Sequence, residues 1–173
     1  MGRYNFDKIV DRKHTKSLKY DFAVQRGKPA DVLPFWVADM DFEIPSELKQ
    51  VLLDRVNHGI FGYTESDDAY FNVLKEWFGS RFNWNIDKKW LVKTPGVVFA
   101  LAMAVRAFTK EGEGVLINQP VYYPFSMVID DNDRNLINVP LIQGADTYTI
   151  DFEGVERAIV EHNVTLFLLC NPH

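Results

Sequence analysis

Val115-Leu116-Ile117-Asn118, closed by Gln119-Pro120, is the stretch that decides the fold class. Consecutive large aliphatic residues without polar alternation read as a strand buried on both faces. Outward from it, strands and helices alternate. Downstream, a short helix runs roughly from Pro124 to Asp130, a strand from Asn135 to Leu141 and a turn from Gly144 to Thr149. Asp151 then caps a helix to His162, and Val164 to Cys170 is a further apolar strand. Upstream, Val97 to Lys110 reads as a largely buried helix, preceded by the Thr94-Pro95-Gly96 turn and a short strand, Trp90-Leu91-Val92-Lys93. Such alternation implies right-handed crossovers and an α/β fold, with a mostly parallel sheet and helices on both faces.

The first part of the chain is less regular. Met1 to Lys28 is polar with scattered aromatic residues and reads as an arm. Phe35-Trp36-Val37-Ala38-Asp39-Met40-Asp41-Phe42 is a short apolar run closed by acids. Pro45-Ser46 opens a helix, with Ser46 as N-cap, Glu47 in the first turn and Gly59 as the stop. Its apolar positions are Leu48, Val51, Leu52 and Val56. A second helix runs from about Asp67 to Phe82, with a stripe of Tyr70, Leu74, Trp77 and Phe78.

Composition narrows the function classes. The chain has 173 residues, 47% hydrophobic and 25% charged, which excludes wholesale disorder. Its net charge of −5, with no basic block, argues against nucleic acid or an anionic membrane as partner. No segment has the apolar length of a membrane span or a signal peptide. The single cysteine, Cys170, makes no internal disulfide and fits a reducing, cytoplasmic setting.

Several short pieces carry candidate chemistry. Thr94-Pro95-Gly96-Val97-Val98 lies between a strand and a helix, where free N–H groups favour an anion such as phosphate. Taken alone, a tight turn is the stronger reading, because neither G-x-G-x-x-G nor the Walker pattern is present. That absence also disfavours a dinucleotide-binding domain. Tyr122 and Tyr123, held between Pro120 and Pro124, offer rings for stacking on a planar ligand, or ordinary core aromatics. Tyr63, beside Gly62, either reaches a neighbouring site or packs on the surface. Asp39 and Asp41 share one face of an extended stretch and read as caps or turn bonds. His14, His58, His162 and His173 are scattered, so no metal site is expected.

Together and in this order, the pieces resemble the N-terminal part of the MalY/PatB cystathionine β-lyase family. The stretch Trp36 to Phe42 is the most specific, joined by Gly62-Tyr63-Thr64, Thr94 to Val98, Pro120 to Phe125 and Asn171-Pro172-His173. The resemblance runs the length of the chain. It implies the aspartate aminotransferase fold, pyridoxal 5'-phosphate (PLP) as cofactor, and a homodimer acting on a sulfur amino acid. By position, Gly96, Val97 and Val98 would hold the cofactor phosphate, and Tyr122 would stack on its ring. Tyr63 would reach the partner's phosphate, while Val37 and Ala38 would lie near the substrate carboxylate. Residues 1–58 would form an arm and part of the small domain. Residues 59–173 would begin the large cofactor-binding domain, truncated here.

The resemblance also implies a protein more than twice this length. The lysine that forms a Schiff base with the cofactor would lie beyond His173, so no catalytic residue is assigned in this chain. The reaction implied for the complete protein releases a thiol, ammonia and pyruvate from cystathionine or another cysteine S-conjugate. An aminotransferase on the same fold is the alternative, and a non-catalytic fragment or binding module is the alternative of another class. For the 173 residues alone, no turnover and weak folding are expected.

Overall fold

The computed structural model describes residues 4–173. The chain divides into two compact units, with the boundary after Asp67.

The first unit holds α1 (Leu18–Asp21), a 3-10 turn (Val24–Arg26) and α2 (Ser46–His58). Pro45, not Ser46, occupies the N-cap of α2, so Ser46 is its first helical residue. Gly59 ends the helix in the left-handed region (φ 74°), as expected, and Arg55 and His58 suit the negative end of its dipole. Leu48, Val51, Leu52 and Val56 are all exposed. The Phe35–Phe42 stretch is neither helix nor strand.

The second unit opens with α3 (Asp68–Phe82). Its buried side is Phe71, Leu74 and Phe78, whereas Tyr70 and Trp77, expected in the stripe, are exposed. A 3-10 turn (Lys88–Trp90) follows, capped by Asp87, whose side chain accepts the N–H of Lys89. The expected strand at residues 90–93 is absent. A strand exists through backbone groups paired with a neighbouring strand, and no described strand runs alongside that segment.

After α4 (Val97–Phe108) come β1 (Gly114–Ile117), α5 (Pro124–Asp130), β2 (Asn135–Asn138), β3 (Ile142–Gln143), β4 (Tyr148–Thr149), α6 (Phe152–Glu161) and β5 (Val164–Phe167). The sheet has the order β2-β1-β5, all parallel, as the alternation predicts. The expected turn before Asp151 is present at residues 144–147, where the Gly144 N–H donates to the Thr147 carbonyl at 2.8 Å. It joins a small antiparallel pair, β3 with β4, so that Tyr148 and Thr149 are strand.

Every residue of β1 is buried. Val115 and Ile117 face one side, packed with Val105, Phe125, Val128, Ile129 and Leu168. Leu116 faces the other, against Val139, Val155 and Ala158. Helices therefore cover both faces, α4 and α5 on one and α6 on the other. Among the described residues, one side of α4 has a packing partner. Leu101, Ala102 and Val105 pack on the sheet, but Val97, Phe99, Met103 and Phe108 are exposed, so the helix is less buried than its sequence predicts.

Candidate cofactor site

The C-terminal edge of the sheet gathers the candidate residues of the second unit. From β1 the chain steps to β2 on one side, then crosses to β5 on the other. In a parallel sheet, such a reversal leaves a crevice beyond the strand ends. The loops there are tied together. Asn118 Nδ2 donates to the Val139 carbonyl at 2.8 Å, and the Leu141 N–H donates to Gln119 O at 2.8 Å. His173 Nε2 lies 2.7 Å from the Pro120 carbonyl oxygen, which requires the proton on that nitrogen. The peptides before Pro120 and Pro172 are both cis. A cavity of about 480 Å³ opens at this edge, lined by Asn118, Val121, Tyr148, Leu168, Cys170 and Asn171 among others. Asn118 is buried, and no donor among the described residues reaches its Oδ1.

Helix α4 brings its N-terminus to the same edge. Thr109, which ends α4, accepts from Arg134 at the start of β2, at 2.9 Å on Oγ1 and 2.8 Å on the backbone oxygen. The C-terminus of α4 therefore sits at the opposite edge, and the helix runs back along the sheet. Gly96 precedes its first turn with extended backbone (φ 170°), and no side chain caps the helix. The first-turn N–H groups have no acceptor within the helix. A Cβ built on Gly96 would meet nothing within 4 Å. This open, uncapped, positively polarised helix end fits a phosphate monoester.

Tyr122 stands in the loop after β1, at that edge. Its ring is half-exposed and packs edge-on against Tyr123, with centroids 5.1 Å apart. Val121, next to it, packs on the same core cluster as Leu101 and Ala102 of α4. The fold thus brings Gly96, Val97, Val98 and Tyr122 to one edge, although none of them lines the 480 Å³ cavity. Among the described residues, no group of three or more His, Cys, Asp or Glu is placed to hold a metal.

The remaining candidates lie in the first unit. Tyr63 is fully exposed, Val37 half-buried and Ala38 exposed. Asp39 and Asp41 are not the caps or turn acids expected from sequence. Arg12 reaches Asp39 Oδ2 and Asp41 Oδ1, both at 2.7 Å, and Lys19 Nζ lies 2.6 Å from Asp41 Oδ2. The Tyr20 hydroxyl donates to Asp41 Oδ1 at 3.0 Å. Hydrogen bonds from Lys19 and then Arg12 hold the Asp41 carboxyl down at about 2. Asp39 is lowered chiefly by Arg12. The same bonds raise Arg12 and Lys19, and the bond to Asp41 raises Tyr20. No local motif announces this cluster, because its cations stand 20 or more positions from its acids.

The family profile of the class I and II aminotransferases matches residues 30–173. The chain is 42% identical over 169 residues to cystathionine beta-lyase PatB of Bacillus subtilis, covering 98% of this chain and 44% of that protein. It also resembles cystalysin from Treponema denticola, a structure that contains a pyridoxal 5'-phosphate cofactor, with TM-score 0.87 and 38% identity. That match covers 98% of this chain and 44% of cystalysin. The PLP-bound C-S lyase from Staphylococcus hominis matches with TM-score 0.89 and 31% identity, over 99% of this chain and 44% of that one. The resemblance read from the sequence is borne out, and the chain spans less than half the length of each of these relatives.

Proposed function

The chain belongs to the aminotransferase class I and II family, and from that premise we propose that the complete protein is a PLP-dependent carbon–sulfur β-lyase. Its substrate would be cystathionine or another cysteine S-conjugate, and its products pyruvate, ammonia and a thiol. The observation that carries the cofactor half of this reading is the uncapped N-terminus of α4 behind Gly96, at the same edge of the sheet as the loop that holds Tyr122. The lyase half is supported by the 42% identity to PatB.

The backbone N–H groups at Gly96, Val97 and Val98 bind the phosphate, assisted by the dipole of α4. The Tyr122 ring covers the heterocycle and excludes water from that face. Val37 and Ala38 present backbone to the amino acid's α-carboxylate, which orients Cα. Tyr63 completes the phosphate site of a second subunit, so the working form is a homodimer, in the cytoplasm. The bound cofactor supplies an electron sink for the carbanion at Cα.

The test is pyruvate release from cystathionine by the complete protein with PLP, read through lactate dehydrogenase and NADH. The reading predicts pyruvate with no keto-acid acceptor present. Turnover only when a keto acid is added would replace it with the aminotransferase alternative. No reaction under either condition would favour a binding module.

A further inference from the structure

The stretch from Phe35 to Phe42 has no helix or strand to hold it, yet Val37 and Ala38 within it need a fixed backbone to meet a carboxylate. The arm supplies the restraint. Arg12 forks onto Asp39 Oδ2 at 2.7 Å and Asp41 Oδ1 at 2.7 Å, and reaches the Met40 carbonyl at 3.4 Å. Lys19, with a side chain only 8% exposed, donates to the Asp39 carbonyl at 3.1 Å and to Asp41 Oδ2 at 2.6 Å. Two of these contacts end on main-chain oxygens, so the arm grips the backbone itself and not the carboxylates alone. The arm is held in turn. Asp21 accepts the N–H groups of His14 and Ser17 at 2.9 and 3.1 Å, across a loop in which His14 and Lys16 have positive φ.

We propose that Arg12, Lys19 and Tyr20 are positioning residues, a clamp that acts through Asp39 and Asp41 to fix Val37 and Ala38 for the substrate carboxylate. This rests on the placement of Val37 and Ala38 given under the proposed function. In this role the clamp residues act through Asp39 and Asp41 and not on the reacting atoms. Loosening it weakens ground-state and transition-state binding alike, which raises KM and leaves kcat nearly unchanged. A purely structural network would instead lower the melting temperature without moving KM.

The experiment uses the complete holoenzyme and the variants Arg12→Lys, Asp41→Asn and Tyr20→Phe. Glycine is the probe, because it carries the α-carboxylate but no β leaving group; its Kd is read from the cofactor absorbance. The clamp predicts about tenfold weaker glycine binding for Arg12→Lys and Asp41→Asn, and about threefold for Tyr20→Phe. KM for cystathionine rises in step, with kcat within about twofold of the wild type. Glycine affinity unchanged in the folded variants overturns the proposal. Should Asp41→Asn fail to fold, Tyr20→Phe, which removes one hydroxyl, decides. A wild type that binds glycine but releases no pyruvate overturns the lyase reading alone, and the glycine series still decides the clamp.

Discussion

Asp151 and Gly154 share one space at the start of α6. The Asp151 side chain accepts the N–H of Gly154 at 2.8 Å, and a Cβ on Gly154 would fall 2.3 Å from Asp151 Oδ2. The cap and the missing side chain are therefore one feature. Asp151→Ala costs about 1 kcal/mol through the lost cap. Gly154→Ala alone is destabilising, because the methyl displaces the cap. In the Asp151→Ala background Gly154→Ala costs less, since the clash with the cap is gone and the helix preference of alanine, up to about 1 kcal/mol, offsets the remaining 3.2 Å approach to Val139 Cγ1. Denaturant melts of the four proteins of this double-mutant cycle check it. Simple additivity would contradict the shared space.

Gly96 and Gly114 predict opposite outcomes for the same substitution. A Cβ on Gly114 would lie 3.1 Å from the His162 backbone oxygen and 3.3 Å from Ile137 Cγ1, where β1 passes between β2 and β5. Gly114→Ala crowds the centre of the sheet and costs about 1–3 kcal/mol of stability. Gly96→Ala meets open space and an ordinary extended backbone, so the apo-protein melts as the wild type does. Its methyl enters the anion cradle, and PLP binding weakens about tenfold or more. Melting temperature and equilibrium dialysis against PLP, on the complete protein, separate the two effects.

Tyr122 offers a ring that is half-exposed and steadied by Tyr123 at 5.1 Å. Stacking contributes about 0.5–1.5 kcal/mol beyond burial, so Tyr122→Ala weakens PLP binding by up to about tenfold. Tyr122→Phe keeps the ring and binds nearly as the wild type. A phenylalanine variant as weak as the alanine one would assign the effect to the hydroxyl instead. The same dialysis measurement decides.

Much of the second unit was legible because its signals are local. Val115-Leu116-Ile117 marks a strand buried on both faces, Asp151 marks a cap, and the spacing of strands and helices gives the parallel sheet. Pairing is not local, and there the reading failed. Trp90 to Lys93 has the composition of a strand but lies beside no described strand, and α4, apolar except for Arg106, is covered on one side among the described residues. The cofactor candidates were individually weak, and only their order along the chain made them specific. The clamp was invisible for a different reason. Arg12 and Lys19 look like ordinary charges of a polar arm until folding brings them 2.6–2.7 Å from Asp39 and Asp41.

That cluster gives the first unit a defined pH response. Asp41 titrates at about 2 in the folded chain, against 3.8 ordinarily, so its contribution to stability is fully present above the ordinary value. It is lost as the pH falls through about 2. Asp39, also lowered, has the same sign. Lys19 and Tyr20 are raised, so their share is present below their ordinary values of 10.5 and 10.0 and is lost as the pH rises beyond them. The expected profile is a plateau through neutral pH with a fall at each end. Asp41→Asn removes the carboxylate, so the variant starts lower on the plateau and loses less on acidification. Urea melts of the complete protein from about pH 6 to about pH 2 compare the slopes, which follow the difference in bound protons between the folded and unfolded states. Equal slopes for the wild type and Asp41→Asn would mean that this ion cluster does not persist in solution.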